Sequence, residues 1–238
     1  MIKDMPVVIL AGGKGINLGE KCDIIPKPMV SVNGKPLLGH IIGHYMKYGF
    51  KKFIIAGGYG QKMISDYIRA IPGGADIRLV DTGIDSMTGS RLAQLRKMIE
   101  PAGIFCLTYG DTISDVDLAE ELGFHLKHKK TATLLAAHNP TRFRILGLIE
   151  DEDVVKGMAE KPILEKDYIN GGYYIMNASI FTNKKLSSEP SCVLEEQVLE
   201  DLVSKKELYA FRHNGVWQPL DNERDRQKIV QMINGGLE

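Results

Sequence analysis

The sequence predicts an α/β fold with a Rossmann-like, doubly wound sheet that is mixed but mostly parallel, and three observations support that expectation. Short apolar runs that suit buried strands alternate with segments of helical period from residue 7 to residue 137. Several of these runs stop abruptly at glycine, as the first one does at Gly12. The second half carries hairpin signals instead, which predicts further strands and a small lobe.

The spacing of apolar residues and the positions of glycine and proline predict the first five elements. Residues 7–11 form an unbroken apolar run, which is typical of a strand buried on both faces. In residues 37–48 the apolar side chains recur on one side of a helix, and a preceding proline suits its first turn. Residues 52–56 repeat the strand pattern and end in glycine. Residues 61–71 have helical period and are closed by Pro-Gly-Gly, and residues 77–80 make a third strand.

The remaining elements of the first half are a helix at residues 91–99, a strand at residues 104–108, a helix capped by Ser114 or Asp115 that runs to about residue 129, and a strand at residues 131–137. Helices that alternate with parallel strands cover both faces of a sheet, so ligands bind beyond the carboxyl ends of the strands. The glycines after the first strand and Asp111 after the fourth both occupy such ends. We therefore expect them to share one cleft.

The second half changes character after about residue 140. The acidic residues 150–153 form a polar turn between apolar segments 146–149 and 154–158, which predicts a hairpin. A final helix is expected after Asp221. No linker divides the chain, so we expect one domain over residues 1–238, with the lobe covering the cleft.

Bulk composition narrows the class of protein. Lysine plus arginine and aspartate plus glutamate both number 30, so no basic surplus argues for nucleic acid as a partner. The three cysteines, Cys22, Cys106 and Cys192, are far apart, which fits a reducing compartment and small hydrophobic packing roles. The sequence shows neither a signal peptide nor an apolar run of about eighteen residues, so we expect a cytoplasmic protein without a membrane partner.

The loop after the first strand suits phosphates. Glycines at 12, 13 and 15 can expose consecutive N–H groups, and Lys27 lies between two prolines that limit its backbone freedom. A P-loop and a dinucleotide fingerprint both fail on spacing, because the first lacks its Gly-Lys-Ser/Thr ending and the second has Leu18 at its third glycine. The loop predicts a triphosphate site, and an ordinary glycine turn is the alternative.

Three further groups of residues are candidates for binding a cation or a ligand. Asp111 follows a buried strand, where a carboxylate is costly unless it is paired or holds a cation, although a helix cap is the alternative. The segments 160–162 and 169–172 place an acid, a lysine and an amide on turns, which suits a phosphorylated, hydroxylated ligand but is also common in ordinary loops. Asp221 follows the sole tryptophan, Trp217, and on its own would be interpreted as a cap.

Taken together, these motifs resemble the nucleotide-sugar pyrophosphorylases. The shared motifs are Leu10-Ala11-Gly12-Gly13, Pro26-Lys27-Pro28-Met29, Gly110-Asp111, Glu160-Lys161-Pro162 and Asn170-Gly171-Gly172. Two more segments, Met87-Thr88-Gly89-Ser90-Arg91-Leu92 and Trp217-Gln218-Pro219-Leu220-Asp221, resemble the glucose-1-phosphate cytidylyltransferases within that family. The likeness spans nearly the whole chain. It implies that CTP and a sugar 1-phosphate give a CDP-sugar and pyrophosphate by in-line attack on the α-phosphate.

The resemblance also implies roles for individual residues. Catalysis would fall to Lys27, Asp111 and Asp221, with Mg²⁺ held by Asp111 and Asp221. The nucleotide would lie against Leu10, Ala11, Gly12, Gly13, Lys14, Arg91 and Gly110, and the acceptor against Glu160, Lys161, Asn170 and Gly171. On this basis residues 1–140 are the nucleotide-binding part, residues 141–238 form a sugar-binding lobe and the C-terminal helix, and the protein is a homo-oligomer.

One position departs from the family pattern. Where the family has Thr-Arg after its second loop glycine, this chain has Ile16-Asn17, so an arginine contact to the leaving pyrophosphate is lost. Lys14 offers a substitute charge but no bidentate fork. Two alternatives therefore stay open: a cytidylyltransferase for another phosphorylated acceptor, and a nucleotide-binding relative with weakened catalysis.

Overall fold

A computed structural model of the chain describes residues 2–13, 25–71, 74–138 and 168–236, and the backbone alone at residues 145–148 and 155–159. The strands are β1 Pro6–Leu10, β2 Ser31–Val32, β3 Lys35–Pro36, β4 Lys52–Gly57, β5 Asp76–Asp81, β6 Ile104–Tyr109, β7 Thr112–Ser114, β8 Ala132–His138, β9 Ile145–Leu148, β10 Val155–Ala159, β11 Tyr168–Asn177, β12 Leu208–His213 and β13 Trp217–Pro219. The helices are α1 Leu37–Lys47, α2 Gln61–Ala70, α3 Thr88–Gln94, α4 Arg96–Ile99, α5 Leu118–His128, α6 Glu200–Ser204 and α7 Glu223–Asn234.

Seven strands form one mixed sheet in the order β12-β8-β11-β6-β1-β4-β5. Neighbours pair in parallel except around β11, which runs antiparallel to both β6 and β8. The predicted α/β class with a mixed, mostly parallel sheet is therefore confirmed. Strand β11 starts where β6 and β8 end, so its first residues join the edge of the sheet where ligands bind in such folds.

The core lies on both faces of the sheet, and β1 shows why. All five residues of β1 are buried. Successive strand side chains point to opposite faces, so Val7 and Ile9 pack with α1 while Val8 and Leu10 pack with α3 and the segment around Leu194. A central strand covered on both sides reads as a continuous apolar run, as residues 7–11 do.

Two helix predictions need correction. The helix expected at residues 91–99 begins at Thr88 and is interrupted at Leu95, so Arg91 lies in the middle of α3. The cap of α5 is Asp117, whose side chain accepts the N–H groups of Ala119 and Glu120, because the chain first forms the short strand β7 through Ser114.

The second half contributes strands to the same sheet and one separate hairpin. The antiparallel pair β9 and β10 confirms the hairpin predicted around the acidic turn, and residues 149–154 between them lie outside the described residues. Strand β12 joins the sheet in parallel beside β8. Strand β13 pairs antiparallel with β7, with Pro219 opposite Thr112, which brings the segment between β13 and α7 next to Asp111.

Two other expectations concern bulk properties. Cys106 and Cys192 are buried thiols, as expected of small packing residues, whereas Cys22 lies outside the described residues. Among the described residues, the helices are all too short or too polar to cross a bilayer.

Candidate active site

A cleft of about 510 Å³ opens at the carboxyl ends of β1 and β6. The loop that follows β1 forms one wall, and Gly110 forms part of the floor. The Gly110 N–H donates to the carbonyl of Leu10 at 3.0 Å, and a Cβ on Gly110 would lie 2.8 Å from the Pro28 ring and 3.0 Å from that carbonyl. Only glycine fits where these segments cross, so the loop and Asp111 meet, as the strand-end argument predicts.

Arg91 lies directly behind the glycine loop. Its side chain is 4% exposed, and its guanidinium donates to the carbonyls of Gly12, Gly57 and Gly83 at 3.0, 2.9 and 2.8 Å. It also donates to the Thr82 hydroxyl at 2.6 Å. Burial lowers the pKa of this guanidinium, which nevertheless remains ionised because arginine does not lose its proton in proteins. The predicted nucleotide contact thus holds together the loops that follow β1, β4 and β5.

This arrangement explains Gly12. A Cβ at that position would clash with the Arg91 guanidinium. The Gly12 carbonyl accepts a second hydrogen bond, from the N–H of Tyr59 at 3.1 Å. The Gly12 carbonyl therefore points toward Arg91 and Tyr59, and the other side of the loop faces the cleft. Residues Leu10, Ala11, Gly12 and Gly13 all line that cleft.

Lys27 is the only lysine among the described residues that lines the cleft. Its ammonium lies 3.2 Å from Asp111 Oδ2 and 2.9 Å from Asp221 Oδ1. The backbone of Lys27 is fixed by a short 3-10 turn, in which the Met29 N–H donates to the Pro26 carbonyl at 2.8 Å. The Pro-Lys-Pro sequence therefore places a charged group at a defined point between two acids from opposite halves of the chain.

The charges at this point decide the protonation of Lys27. Burial of the ammonium lowers its pKa, but Asp111 and then Asp221 more than offset that effect and raise it above the ordinary value of 10.5. The side chains of Lys27, Asp111 and Asp221 are 25%, 33% and 42% exposed, so water and ligands reach all three. Lys27 is consequently a fixed cation at neutral pH.

The two carboxylates fit a magnesium site. Mg²⁺ prefers oxygen ligands and is commonly held by one or two carboxylates together with substrate phosphates. Asp111 and Asp221 supply hard oxygens that converge on one cation, the Lys27 ammonium. The described residues include no group of three or more potential protein ligands, so here a metal would depend on phosphate oxygens and water as well. Asp221 is not the cap of α7, because Asn222 has that role.

Two of the four predicted acceptor residues, Asn170 and Gly171, lie near the start of β11. Asn170 lines the cleft, while the Gly171 carbonyl accepts the Trp217 indole N–H at 2.7 Å. Gly171 therefore faces β13, and its approach to Leu135 and Trp217 leaves only 3.1 Å for a Cβ. Glu160 and Lys161, like Lys14 and Asn17, lie outside the described residues.

Four polar residues of the cleft wall were not predicted from the sequence, namely Ser86, Thr88, Tyr109 and Glu195. Glu195 lines the cleft from a π-helix at residues 194–199, and Thr88 donates to its Oε2 at 2.6 Å. Tyr109 donates to its Oε1. The available signals were weak: Tyr109 directly precedes Gly110-Asp111, and Thr88 lies in a motif noted only for its family likeness.

Several known proteins resemble this chain in sequence. A family model described as "Nucleotidyl transferase" matches residues 6–221. The chain is 36% identical to a glucose-1-phosphate cytidylyltransferase of Salmonella typhimurium, covering 93% of both chains. It is 28% identical to a D-glycero-alpha-D-manno-heptose 1-phosphate guanylyltransferase of Aneurinibacillus thermoaerophilus, covering 95% of this chain and 99% of that one.

A solved structure has the same fold. HddC from Yersinia pseudotuberculosis superposes with a TM-score of 0.72 at 24% identity, covering 96% of this chain and 99% of that chain. At that identity the likeness concerns the fold alone.

Proposed function

This chain belongs to the nucleotidyl transferase family, and we propose that it converts CTP and a sugar 1-phosphate, with glucose 1-phosphate as the acceptor, into a CDP-sugar and pyrophosphate. The observation that carries the proposal is the Lys27 ammonium held between Asp111 and Asp221, with Lys27 and Asp111 lining a glycine-lined cleft. A fixed cation and two acids suit a reaction whose reactants are both phosphates.

The proposed reaction exchanges one phosphorus–oxygen bond for another. A phosphate oxygen of the acceptor attacks the α-phosphorus of CTP, and the bond from that phosphorus to the oxygen bridging to the β-phosphate breaks. Pyrophosphate leaves with the electron pair of the broken bond. No side chain needs to form a covalent bond, so catalysis consists of alignment and neutralisation of charge.

Lys27 supplies the neutralisation in this proposal. Two phosphates repel each other, and a cation between them lowers the barrier most when it is already in place before the reaction. The two prolines restrict its backbone, and its raised pKa keeps it charged at every physiological pH. Its carboxylate partners orient the ammonium without covering it, since a quarter of the side chain is exposed.

Asp111 and Asp221 would hold Mg²⁺ in the loaded enzyme. When bound, the ion would neutralise phosphate oxygens and link the nucleotide to the protein. The β7–β13 pairing brings the two acids to one point, although 110 positions of sequence separate them.

The glycine loop would frame the nucleotide, and Arg91 would hold the loop in shape from behind. In this division residues 1–140 are the nucleotide-binding part and residues 141–238 supply the acceptor-binding lobe, from which Asn170 lines the cleft. The choice of CTP is supported by the 36% identical Salmonella relative, named a glucose-1-phosphate cytidylyltransferase. The more distant guanylyltransferase relative is the reason that the base must be tested.

Pyrophosphate release is the direct test. Purified protein with Mg²⁺ is given CTP, UTP, dTTP, GTP or ATP in turn, each with glucose 1-phosphate or mannose 1-phosphate. We expect release with CTP and glucose 1-phosphate to exceed every other pair by at least about tenfold, and mass spectrometry to identify the CDP-sugar. Equal release with GTP, or the absence of release with any donor, would contradict the proposal.

Asn17 favours a second candidate. Because it replaces the arginine of the family motif, the chain would be a cytidylyltransferase for another phosphorylated acceptor or a weakened relative that still binds CTP. In either case CTP would bind, as measured by calorimetry, without turnover on glucose 1-phosphate. Turnover on a member of a panel of phosphorylated polyols and acids would then identify another acceptor, and no turnover on any of them would identify a weakened relative.

A further inference from the structure

A chain of hydrogen bonds crosses the cleft wall from Asn170 to Glu195. The Asn170 side-chain amide nitrogen lies 2.6 Å from the Tyr174 hydroxyl, and the Tyr174 and Tyr109 hydroxyls lie 3.1 Å apart. The Tyr109 hydroxyl contacts Glu195 Oε1. Four side chains from β6, β11 and the π-helix are therefore joined in series, and the first of them faces the cleft.

The direction of every bond in this series follows from its last member. The Tyr109 hydroxyl donates its one proton to Glu195 Oε1. The Tyr109 oxygen then accepts from Tyr174, and the Tyr174 oxygen accepts an N–H of Asn170. Each donation polarises the next group, which strengthens such a series in a buried setting. Tyr174 provides that setting, because it is 1% exposed.

A second contact fixes the Asn170 amide in the same orientation. The Gly172 N–H donates to Asn170 Oδ1 at 3.0 Å, which requires the amide oxygen on that side. A side-chain amide has two N–H donors and two acceptor lone pairs. Among the described residues, one of each is used within the protein, by Tyr174 and the Gly172 N–H, which leaves one donor and one acceptor for a ligand. This remaining donor and acceptor match a ligand hydroxyl, which can accept from the amide N–H and donate to the amide oxygen.

The backbone makes this contact feasible through a bulge. Asn170 pairs with Ala136 and Tyr174 with Leu134, so four steps along β11 match only two along β8. The extra length is taken up at Gly171 and Gly172, and Gly172 has a φ of +72°. The bulge draws Asn170 back toward the Tyr174 hydroxyl, whereas four steps of a regular strand span about 13 Å.

Glu195 is anchored at the other end of the series. Thr88 donates to its second carboxylate oxygen at 2.6 Å, and the Thr88 hydroxyl oxygen accepts the Leu194 N–H at 2.9 Å. Gly89 allows this approach, since a Cβ there would lie 2.7 Å from Cys192 Sγ. The π-helix that carries Glu195 is a rare geometry that is frequently found at functional sites.

We infer that Glu195, acting through Tyr109 and Tyr174, is the positioning residue that sets the Asn170 amide for a hydroxyl of the acceptor sugar. The inference rests on the proposed function, in which Asn170 faces the acceptor. Glu195 itself belongs to the wall. Its effect is discrimination: an acceptor that lacks the matching hydroxyl leaves the oriented amide unpaired and binds less well.

The test compares Glu195→Ala, Glu195→Gln and Tyr174→Phe with the wild type in the pyrophosphate-release assay. Glucose 1-phosphate and its 2-, 3-, 4- and 6-deoxy analogues are the acceptors. For Glu195→Ala and Tyr174→Phe we expect KM for glucose 1-phosphate to rise roughly three- to tenfold, the value of one hydrogen bond, with KM for CTP unchanged. The wild-type penalty for one deoxy analogue should disappear in both variants.

Glutamine provides the rescue, because its amide oxygen still accepts from Tyr109, so Glu195→Gln should keep the wild-type acceptor KM. Tyr45→Phe is the matched control, since it removes an equally buried hydroxyl on the opposite face of the sheet. Unchanged discrimination in Tyr174→Phe, or an equal rise in both KM values, would overturn the inference. If the proposed function itself is wrong, the wild type will release no pyrophosphate, and that result would overturn both the proposed function and this inference.

Discussion

The backbone N–H of Leu220 donates a 2.8 Å hydrogen bond to the carbonyl oxygen of Asp111. This bond extends the β7–β13 pairing by one step and places the next residue, Asp221, on the same ammonium as Asp111. The geometry of the acidic pair is therefore set by main-chain pairing. The side chains of both acids can change without moving the backbone that presents them.

Asparagine at either acid is expected to remove turnover and leave the fold intact. Asp111→Asn and Asp221→Asn keep the side-chain shape but weaken a cation ligand and a partner of Lys27, so kcat should fall by at least about a hundredfold. Pyrophosphate release measures the rate, and circular dichroism checks the fold. Near-normal turnover in both variants would refute the proposed metal-binding role.

Lys27→Met is expected to lower kcat by about a hundred- to a thousandfold while increasing the affinity for Mg²⁺ in the absence of nucleotide. The ammonium competes with a metal for the same carboxylate oxygens, so its replacement removes that competition at both acids. Titration calorimetry with MgCl₂ checks this. Lys62→Met, which removes an exposed lysine paired with Asp66, is the matched control and should leave the affinity unchanged.

Arg91→Lys is expected to destabilise the protein and raise KM for the nucleotide. A single ammonium cannot reach the carbonyls of Gly12, Gly57 and Gly83 together, and buried carbonyls without donors should cost about 2–5 kcal/mol in the free energy of unfolding. Urea titration measures this change. The exposed Arg78, changed likewise to Lys, should have little effect, and equal stability of the two variants would argue against Arg91 as the link between loops.

Glu121 makes stability depend on pH. Burial raises the pKa of its carboxyl from the ordinary value of 4.5 to about 8, and its Oε1 has no hydrogen-bond partner among the described residues. Between those two values the folded chain keeps a proton that the unfolded chain releases, so stability falls as pH rises, by at most about 1.4 kcal/mol per unit. Above pH 8 this loss ends.

Glu121→Gln should remove that dependence, because glutamine does not titrate. The free energy of unfolding of the variant minus that of the wild type should increase from pH 5 to pH 8. Other titrating groups are common to both proteins and cancel in the difference. A difference that stays constant over this range, measured by urea titration, would show that Glu121 is not a buried carboxyl of raised pKa.

Asn17→Arg is expected to increase kcat by about tenfold or more, since a charge-assisted contact to the leaving pyrophosphate would be restored. The position lies outside the described residues, so this expectation comes from the sequence motif. Asn17→Gln is the uncharged control. Equal rates for the two variants would indicate that the loop handles the leaving group in another way.

Local sequence patterns predicted much of the fold. The strand of residues 7–11, the helices after it and the hairpin around the acidic turn follow from apolar period and turn residues, which act over a few positions. Strand β11 was not predicted as a central strand, because its Asn-Gly-Gly segment is typical of a turn. The structure uses those glycines for a bulge and a φ of +72°.

The convergence of residues on the candidate site was predictable where one loop or one strand end places them, as at Gly12, Lys27 and Asp111. The site's long-range pairings were not predictable from the residues alone. Asp221 on its own would have been interpreted as a helix cap, and only the pairing of β13 with β7 brings it to Lys27. The interior position of Arg91 likewise depends on three loops that meet around it.

The bulge at Gly171 and Gly172 makes the first residues of β11 sensitive to the deletion of a single residue during evolution. Side chains alternate between the faces of a strand, so deletion of a single bulge codon would turn Asn170 and everything before it in β11 onto the opposite face. The residues from Tyr173 onward would keep their places in the sheet. One small deletion in this bulge would thus change which side chains of β11 face the cleft, while the core of the sheet stayed the same.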